Sequence, residues 1–114
     1  MNDYVFWAIL AIAVGFMLYN RFAGKVDPDH AHRLVESGAV LLDVRSGGEF
    51  RQGHIEGAIN IPVGELSGRL AELGAHDRAV VVYCASGVRS RAAKKVLEGA
   101  GFQQVMDLGP MSAW

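Results

Sequence analysis

The chain has 114 residues, which is room for one small domain, because a domain commonly needs roughly 100 to 150 residues to bury a core. Its formal net charge is −1 and its basic residues are interspersed with acidic ones, which argues against a nucleic-acid-binding surface. A single cysteine excludes an internal disulfide and leaves one free thiol.

The first predicted element is a helix over the uncharged apolar run from Tyr4 to Tyr19. Spanning a bilayer takes about 20 apolar residues, so the run is slightly short unless its neighbours contribute. Basic residues follow the run at Arg21 and Lys25, and basic flanks stay on the cytoplasmic side. We predict an uncleaved single-pass anchor in the plasma (inner) membrane; a hydrophobic core helix is the alternative.

The predicted organisation is therefore an N-terminal transmembrane anchor and flank over residues 1–24, followed by a cytoplasm-facing domain over residues 25–114. In that domain short β-branched runs alternate with helical stretches, which is typical of the α/β class with a parallel sheet. No internal repeat or low-complexity tract interrupts it.

The first half of the domain begins with a predicted helix whose N-cap is Asp27 and whose first residue is Pro28. The run "AVLLDV", residues 39–44, is too short for a helix and predicts a strand buried on both faces. Ser46 and Glu49 stand at the spacing of a capping box, which predicts a short helix that ends near Gly53.

The second half continues the alternation. The predicted elements are a short strand in "GAINIP" ended by Pro62, a helix with apolar positions Val63, Leu66, Leu70 and Leu73, a strand from Ala79 to Tyr83, a helix starting near Ser90 and closed by Gly101, and a last strand from Gln104 to Leu108.

The candidate reactive group is Cys84, which stands where the strand before it ends and the loop "CASGVRSR" begins. In open α/β sheets, ligands bind at the carboxyl ends of strands. Backbone amides curled before a helix attract anions, and with Arg89 they favour thiolate over thiol. The alternative is a structural cysteine that packs as a small hydrophobe.

Four ordered motifs carry a family resemblance: "LLDVR", "EFRQGHIEGAINIP", "VVVYCASGVRSRAA" and "LGPMSAW". Together they resemble the rhodanese-like, single-domain sulfurtransferases over nearly everything from Val26 to Trp114. The resemblance implies a small parallel sheet with helices on both faces. It also implies that Cys84 takes a sulfane sulfur from a small anionic donor such as thiosulfate and passes it to cyanide or to a protein or thiol acceptor.

The resemblance also implies the residues of the site. Those expected to hold the anionic leaving group and the persulfide are the loop residues Ala85, Ser86, Gly87, Val88 and Arg89. No metal or organic cofactor is implied. Related cysteine phosphatases have a longer loop between cysteine and arginine, whereas Cys84 to Arg89 spans six residues, so sulfur transfer is favoured over phosphate chemistry.

Two further charged residues, Asp43 and Arg45, end a strand that the family arrangement places beside the loop. They either line or brace the pocket, or form a structural ion pair, for example Arg45 with Glu49. Basic residues near the start of the following helix, Arg91 among them, either make the mouth electropositive or form an ordinary solvated face.

The histidines do not form a metal-binding pattern. His30 and His32 are two residues apart and point to different helix faces, and His76 has no near partner. His54 is interpreted as a turn or packing residue.

The sequence departs from the family pattern at Ala85, where an arginine is common, and at Pro110, where a second glycine is frequent. Three functions stay open at this point. The first is a membrane-tethered sulfurtransferase that cycles Cys84 through a persulfide; the second is a persulfide carrier or docking module with little turnover. The third is an anion-binding module with an unreactive thiol.

Overall fold

The computed structural model of the protein describes residues 2–22 and 24–114. Within this part of the chain one parallel sheet has the strand order β2-β1-β3-β4. The strands are β1 (Val40–Asp43), β2 (Ile59–Asn60), β3 (Val80–Cys84) and β4 (Val105–Pro110). Because all strands run the same way, their carboxyl ends meet at one edge of the sheet.

The two central strands are buried along their whole length. Alternate side chains enter two separate cores: Leu42, Val82 and Cys84 belong to one, and Leu41 and Tyr83 to the other. A strand that is covered on both faces has no side exposed to solvent, so its sequence is a continuous run of apolar residues. The α/β class and the doubly covered parallel sheet are confirmed.

Helices α2 (Pro28–Glu36) and α4 (Val88–Gly99) pack on opposite faces of the sheet, and the short helix α3 (Gly47–Gln52) follows β1. The side chain of Asp27 caps α2 by accepting a hydrogen bond from the Asp29 N–H at 2.8 Å. A complete capping box opens α3. Both predicted helix starts are confirmed, because in each case a short polar side chain satisfies an orphan amide of the first turn.

The segment predicted as one α-helix after Pro62 is instead two consecutive 3₁₀ helices, Val63–Gly68 and Leu70–Leu73. Glycines at 64 and 68 lower the α-helical propensity, and Arg69, with φ of −128° and ψ of 20°, lies outside the helical region and separates the two helices. The apolar spacing still serves burial, because Leu66 and Leu73 are completely buried.

The N-terminal run forms helix α1 (Asp3–Phe22), whose large apolar side chains, such as Trp7, are exposed. The prediction that this helix crosses a membrane is corrected: among the helices of the described residues, none is long and apolar enough to do so. The uncharged run from Tyr4 to Tyr19 is 16 residues. At 1.5 Å per residue it covers about 24 Å, less than the roughly 30 Å of a hydrocarbon core. The cytoplasmic placement of residues 25–114 stays a prediction.

Candidate active site

Cys84 is the last residue of β3 and is fully buried. It lies opposite Pro110, its register partner on β4, at the carboxyl edge of the sheet. The loop after it is short, since α4 begins at Val88, two residues earlier than the sequence predicts. The thiol is thus held between the end of a central strand and the start of a helix.

Gly87 joins the loop to this helix and contacts the sulfur. Its N–H donates a hydrogen bond to Cys84 Sγ at 2.9 Å, and its carbonyl accepts one from the buried Ser90 hydroxyl at 3.1 Å. Its φ of +97° lies in the left-handed region, where a side chain would be strained. A glycine here therefore lets the N-terminus of α4 point an amide at the sulfur, which stabilises negative charge.

The remaining loop residues form the outer wall of the site. Ala85 and Ser86 are exposed, Val88 is 74% exposed, and Arg89 is half-buried. Cys84 itself is completely buried, so its sulfur is shielded from solvent in this structure. Of the five predicted loop residues, Gly87 contacts the sulfur directly, and the role of the other four stays a prediction.

Arg89 is held by a partner that the sequence did not predict for it. Its guanidinium donates to both carboxylate oxygens of Glu49, at 2.7 and 3.0 Å. These bonds, followed by the hydrogen bond from the Ser46 N–H, lower the pKa of Glu49 to about 2. In turn Glu49 raises the pKa of Arg89, and a charge on nearby Cys84 adds to that increase. Arg89 is therefore fixed beside the thiol rather than extended into solvent.

Arg45 and Asp43 form a buried ion pair at the end of β1. The guanidinium donates to Asp43 at 2.7 Å from Nη2 and at 3.1 Å from Nε, and it also donates to the Gly53 carbonyl at 2.7 Å. The structural ion pair expected for Arg45 is present, but the suggested partner Glu49 is wrong. Asp43 accepts from the Arg45 backbone as well, at 2.8 Å, so the pair braces the chain as it leaves β1.

Tyr83 is a residue of this edge that sequence reasoning missed. Its hydroxyl oxygen accepts a hydrogen bond from the Ile55 N–H at 3.1 Å, and its ring is buried on the sheet face opposite Cys84. Burial raises the pKa of Tyr83 to about 12, with the neighbouring Asp43 adding to the rise. Tyr83 thus ties the end of β3 to the segment that contains Ile55, on the sheet face opposite Cys84. An aromatic residue in an apolar strand predicts core packing, but the sequence does not predict this hydrogen bond.

The histidines act mainly as packing groups. His54 stacks on Phe50 with ring centroids 3.6 Å apart, and its Nδ1 lies 2.8 Å from the Phe50 carbonyl oxygen. His32 stacks on Trp114 at the same centroid distance. Within residues 2–22 and 24–114, no group of three or more potential metal ligands comes together.

Known proteins are similar to this chain in sequence and in fold. The family model described as "Rhodanese-like domain" matches residues 27–114. The thiosulfate sulfurtransferase GlpE of Pseudomonas savastanoi is 32% identical over 91 residues, which are 79% of this chain and 85% of that protein. The human single-domain sulfurtransferase TSTD1 superimposes with a TM-score of 0.67 at 30% identity, covering 81% of this chain and 92% of the human one.

A third relative is the proposed sulfur carrier protein YrkF of Bacillus subtilis, 35% identical over 94 residues. The match covers 82% of this chain but only 46% of YrkF, so the chain spans about half of that relative. Together these relatives support sulfur transfer as the general function. The family model, the curated relatives and the fold agree, and the chain belongs to the family of rhodanese-like domains.

Proposed function

We propose that the protein is a sulfurtransferase that moves a sulfane sulfur from thiosulfate or a persulfide donor to a thiophilic acceptor through a persulfide on Cys84. The observation that carries this proposal is the hydrogen bond from the Gly87 N–H to Cys84 Sγ at the start of α4. It places a preorganised donor on the atom that must carry negative charge as thiolate and as leaving group.

The reaction is a thiol exchange in two displacements. The Cys84 thiolate attacks the outer sulfur of thiosulfate, the S–S bond of the donor breaks, and sulfite leaves with the bonding electron pair. The acceptor, cyanide or a thiolate, then attacks the outer sulfur of the Cys84 persulfide. The Sγ–S bond breaks and the Cys84 thiolate is restored, so no external oxidant or reductant is consumed.

The surrounding residues have separate roles in this proposal. The amides of Ala85 to Arg89 face the anionic donor and the persulfide, and the Arg89 guanidinium attracts the donor while Glu49 fixes its position. Asp43 and Arg45 hold the neighbouring strand end in place. Because the sulfur is covered in the resting structure, the exposed loop residues open for each exchange.

Thiocyanate formation from thiosulfate and cyanide tests the enzymatic proposal. We expect turnover by the wild-type chain and at least a thousandfold loss in Cys84→Ser, because a serine hydroxyl is not ionised near neutral pH and forms no persulfide. Circular dichroism of the variant controls for folding. Absence of thiocyanate with the wild type, or undiminished formation by Cys84→Ser, contradicts the proposal.

A sulfur carrier with little intrinsic turnover is the second candidate. Complete burial of Cys84 favours it, since a sulfur enclosed by the loop is shielded from stray thiols. The name of YrkF points in the same direction. A Cys84 persulfide that forms in stoichiometric amount from a donor, with no multiple turnover of thiosulfate, would identify the carrier.

A further inference from the structure

Ser90 is a polar residue on the buried face of α4. This helix buries Ser90, Ala93 and Leu97 completely, and the three residues stand at the spacing of one helix face. Ala93 and Leu97 belong to the same apolar core as Cys84. The Ser90 hydroxyl therefore lies on an apolar face, at a position that an alanine would fill almost equally well.

A hydroxyl in such a place needs a hydrogen-bond partner. Moving it from water into an apolar core costs free energy unless an internal bond replaces its bonds to water. The net gain in stability from one such bond is small, and alanine is the better helix former. The effect of the Ser90 hydroxyl is thus expected on its partner more than on the stability of the whole domain.

The partner of Ser90 is Gly87, the residue that also contacts the sulfur. Ser90 Oγ donates to the Gly87 carbonyl oxygen at 3.1 Å, and the Arg91 N–H donates to the same oxygen at 3.2 Å. On its amide side, Gly87 donates to Cys84 Sγ at 2.9 Å. Two donors from α4 therefore hold the carbonyl of the residue whose N–H bonds to the sulfur.

Gly87 depends on such contacts for its orientation. Its φ and ψ are +97° and −11°, and a glycine adopts positive and negative φ about equally readily. The conformational preference of the residue itself consequently does not keep its N–H directed at the sulfur. The N–H and the carbonyl of one residue are separated by its two soft dihedrals, so fixing the direction of the carbonyl also restricts that of the N–H.

We propose that Ser90 is a positioning residue of the active site, whose hydroxyl keeps the Gly87 N–H directed at Cys84 Sγ. The N–H then stabilises the charge on Sγ in the thiolate, and again when Sγ leaves as the outer sulfur passes to the acceptor. Ser90 exchanges no proton and forms no bond to donor or acceptor. Its role in the second step rests on the proposed persulfide function, whereas its role in the thiolate does not.

The variant Ser90→Ala tests the role in the thiolate. Alkylation of Cys84 in the full chain by iodoacetamide is measured at about pH 5 and about pH 10, since the thiolate reacts and cysteine thiols are ordinarily ionised at the higher pH. We expect the wild-type rate divided by the variant rate to be about threefold larger at the lower pH, as a weakened hydrogen bond to a charged group allows.

This comparison separates charge stabilisation from access to the sulfur. A variant whose loop opens more or less often changes its alkylation rate at both pH values alike, so that effect cancels. The ion pair of Glu49 and Arg89 is the same in both proteins. Urea denaturation checks that Ser90→Ala is folded. If the folded variant gives the same rate ratio at the two pH values, the positioning role is overturned.

Ser37→Ala is the matched control. The Ser37 hydroxyl also donates to a helix carbonyl, that of Arg33 at 2.9 Å. It lies at the end of α2 that leads into β1, and so at the edge of the sheet opposite Cys84. We expect its rate ratio to be the same at both pH values. A pH-dependent ratio in Ser37→Ala equal to that in Ser90→Ala would contradict a specific role for Ser90.

Thiocyanate formation by the same proteins separates this role from the proposed function. With saturating thiosulfate and cyanide we expect kcat to fall about threefold in Ser90→Ala, because Sγ is the leaving group of the second step, and to stay constant in Ser37→Ala. A wild type that forms no thiocyanate, beside a changed alkylation ratio, contradicts only sulfur transfer. An unchanged alkylation ratio beside active sulfur transfer contradicts only the role of Ser90.

Discussion

Two ion pairs lie near the carboxyl edge of the sheet, and they differ in burial. The Asp43 and Arg45 side chains are 0% and 7% exposed, whereas those of Glu49 and Arg89 are 35% and 36% exposed. The buried pair joins residues two positions apart and also holds the Gly53 carbonyl. The half-exposed pair joins residues 40 positions apart, across the mouth of the site.

This difference in burial separates structural support from positioning. A buried guanidinium without its carboxylate keeps the full cost of desolvation, so removing one partner of the first pair strongly destabilises the fold. A half-exposed pair contributes little to stability, because water solvates either partner alone. The half-exposed pair matters more for geometry than for stability, because its two parallel hydrogen bonds fix the orientation of the Arg89 guanidinium.

The largest expected effect is on stability, at the buried pair. Asp43→Ala leaves Arg45 charged and buried, and we expect the free energy of unfolding to fall by about 3 to 5 kcal/mol in urea denaturation. The control is Glu65→Ala, which breaks an exposed pair with Arg69 and should change stability by less than about 1 kcal/mol. Equal, small losses in both variants would remove the distinction between the pairs.

The next effect is on activity, at the half-exposed pair. Arg89→Lys keeps the charge but cannot form two parallel bonds to Glu49, so we expect sulfur transfer to fall about tenfold while stability changes by less than about 1 kcal/mol. Arg69→Lys makes the same replacement in an exposed ion pair with Glu72 and should leave transfer unchanged. If Arg89→Lys lowers stability without lowering activity, Arg89 is a structural residue like Arg45 and does not position a group for the reaction.

The smallest effect is a pH dependence. Arg89 lowers the pKa of Glu49 from 4.5 to about 2 in the folded protein. A lowered folded-state pKa stabilises the protein above the unfolded value, so this contribution is fully present above about pH 4.5 and is lost as the pH falls toward 2. An NMR titration of the Glu49 carboxyl carbon should show its midpoint near pH 2, and nearer the ordinary value in Arg89→Ala.

A midpoint above pH 4 in the wild-type protein would contradict the bidentate pair.

Much of the fold and of the candidate site is predictable from local sequence signals. Asp27 and Ser46 accept hydrogen bonds from amides two and three residues further along the chain, so the sequence alone predicts both helix caps. The buried strands are continuous apolar runs, which the sequence also shows directly. The position of Cys84 between strand and helix follows from the same patterns. Its role in sulfur transfer stays a prediction.

The contacts that sequence reasoning missed depend on the folded topology. Glu49 carries a clear capping signal, but nothing local pairs it with Arg89 across 40 positions. The sequence pattern predicts only that Lys25 is a basic flank of the first helix, whereas the pairing of this segment with β4 brings the Lys25 side chain close to Gly87. After Pro62, the spacing of the apolar residues is compatible with both an α-helix and a 3₁₀ helix. The sequence pattern therefore predicts which side chains are buried but not which type of helix forms.

Intact-mass analysis of the full chain after exposure to thiosulfate or a persulfide donor, with and without subsequent reductant, tests the central claim most directly. The account predicts an added mass of one sulfur atom on the wild-type protein, removed by the reductant and absent from Cys84→Ser. Wild-type protein that gains no sulfur from any donor, or an adduct that persists in Cys84→Ser, would contradict it.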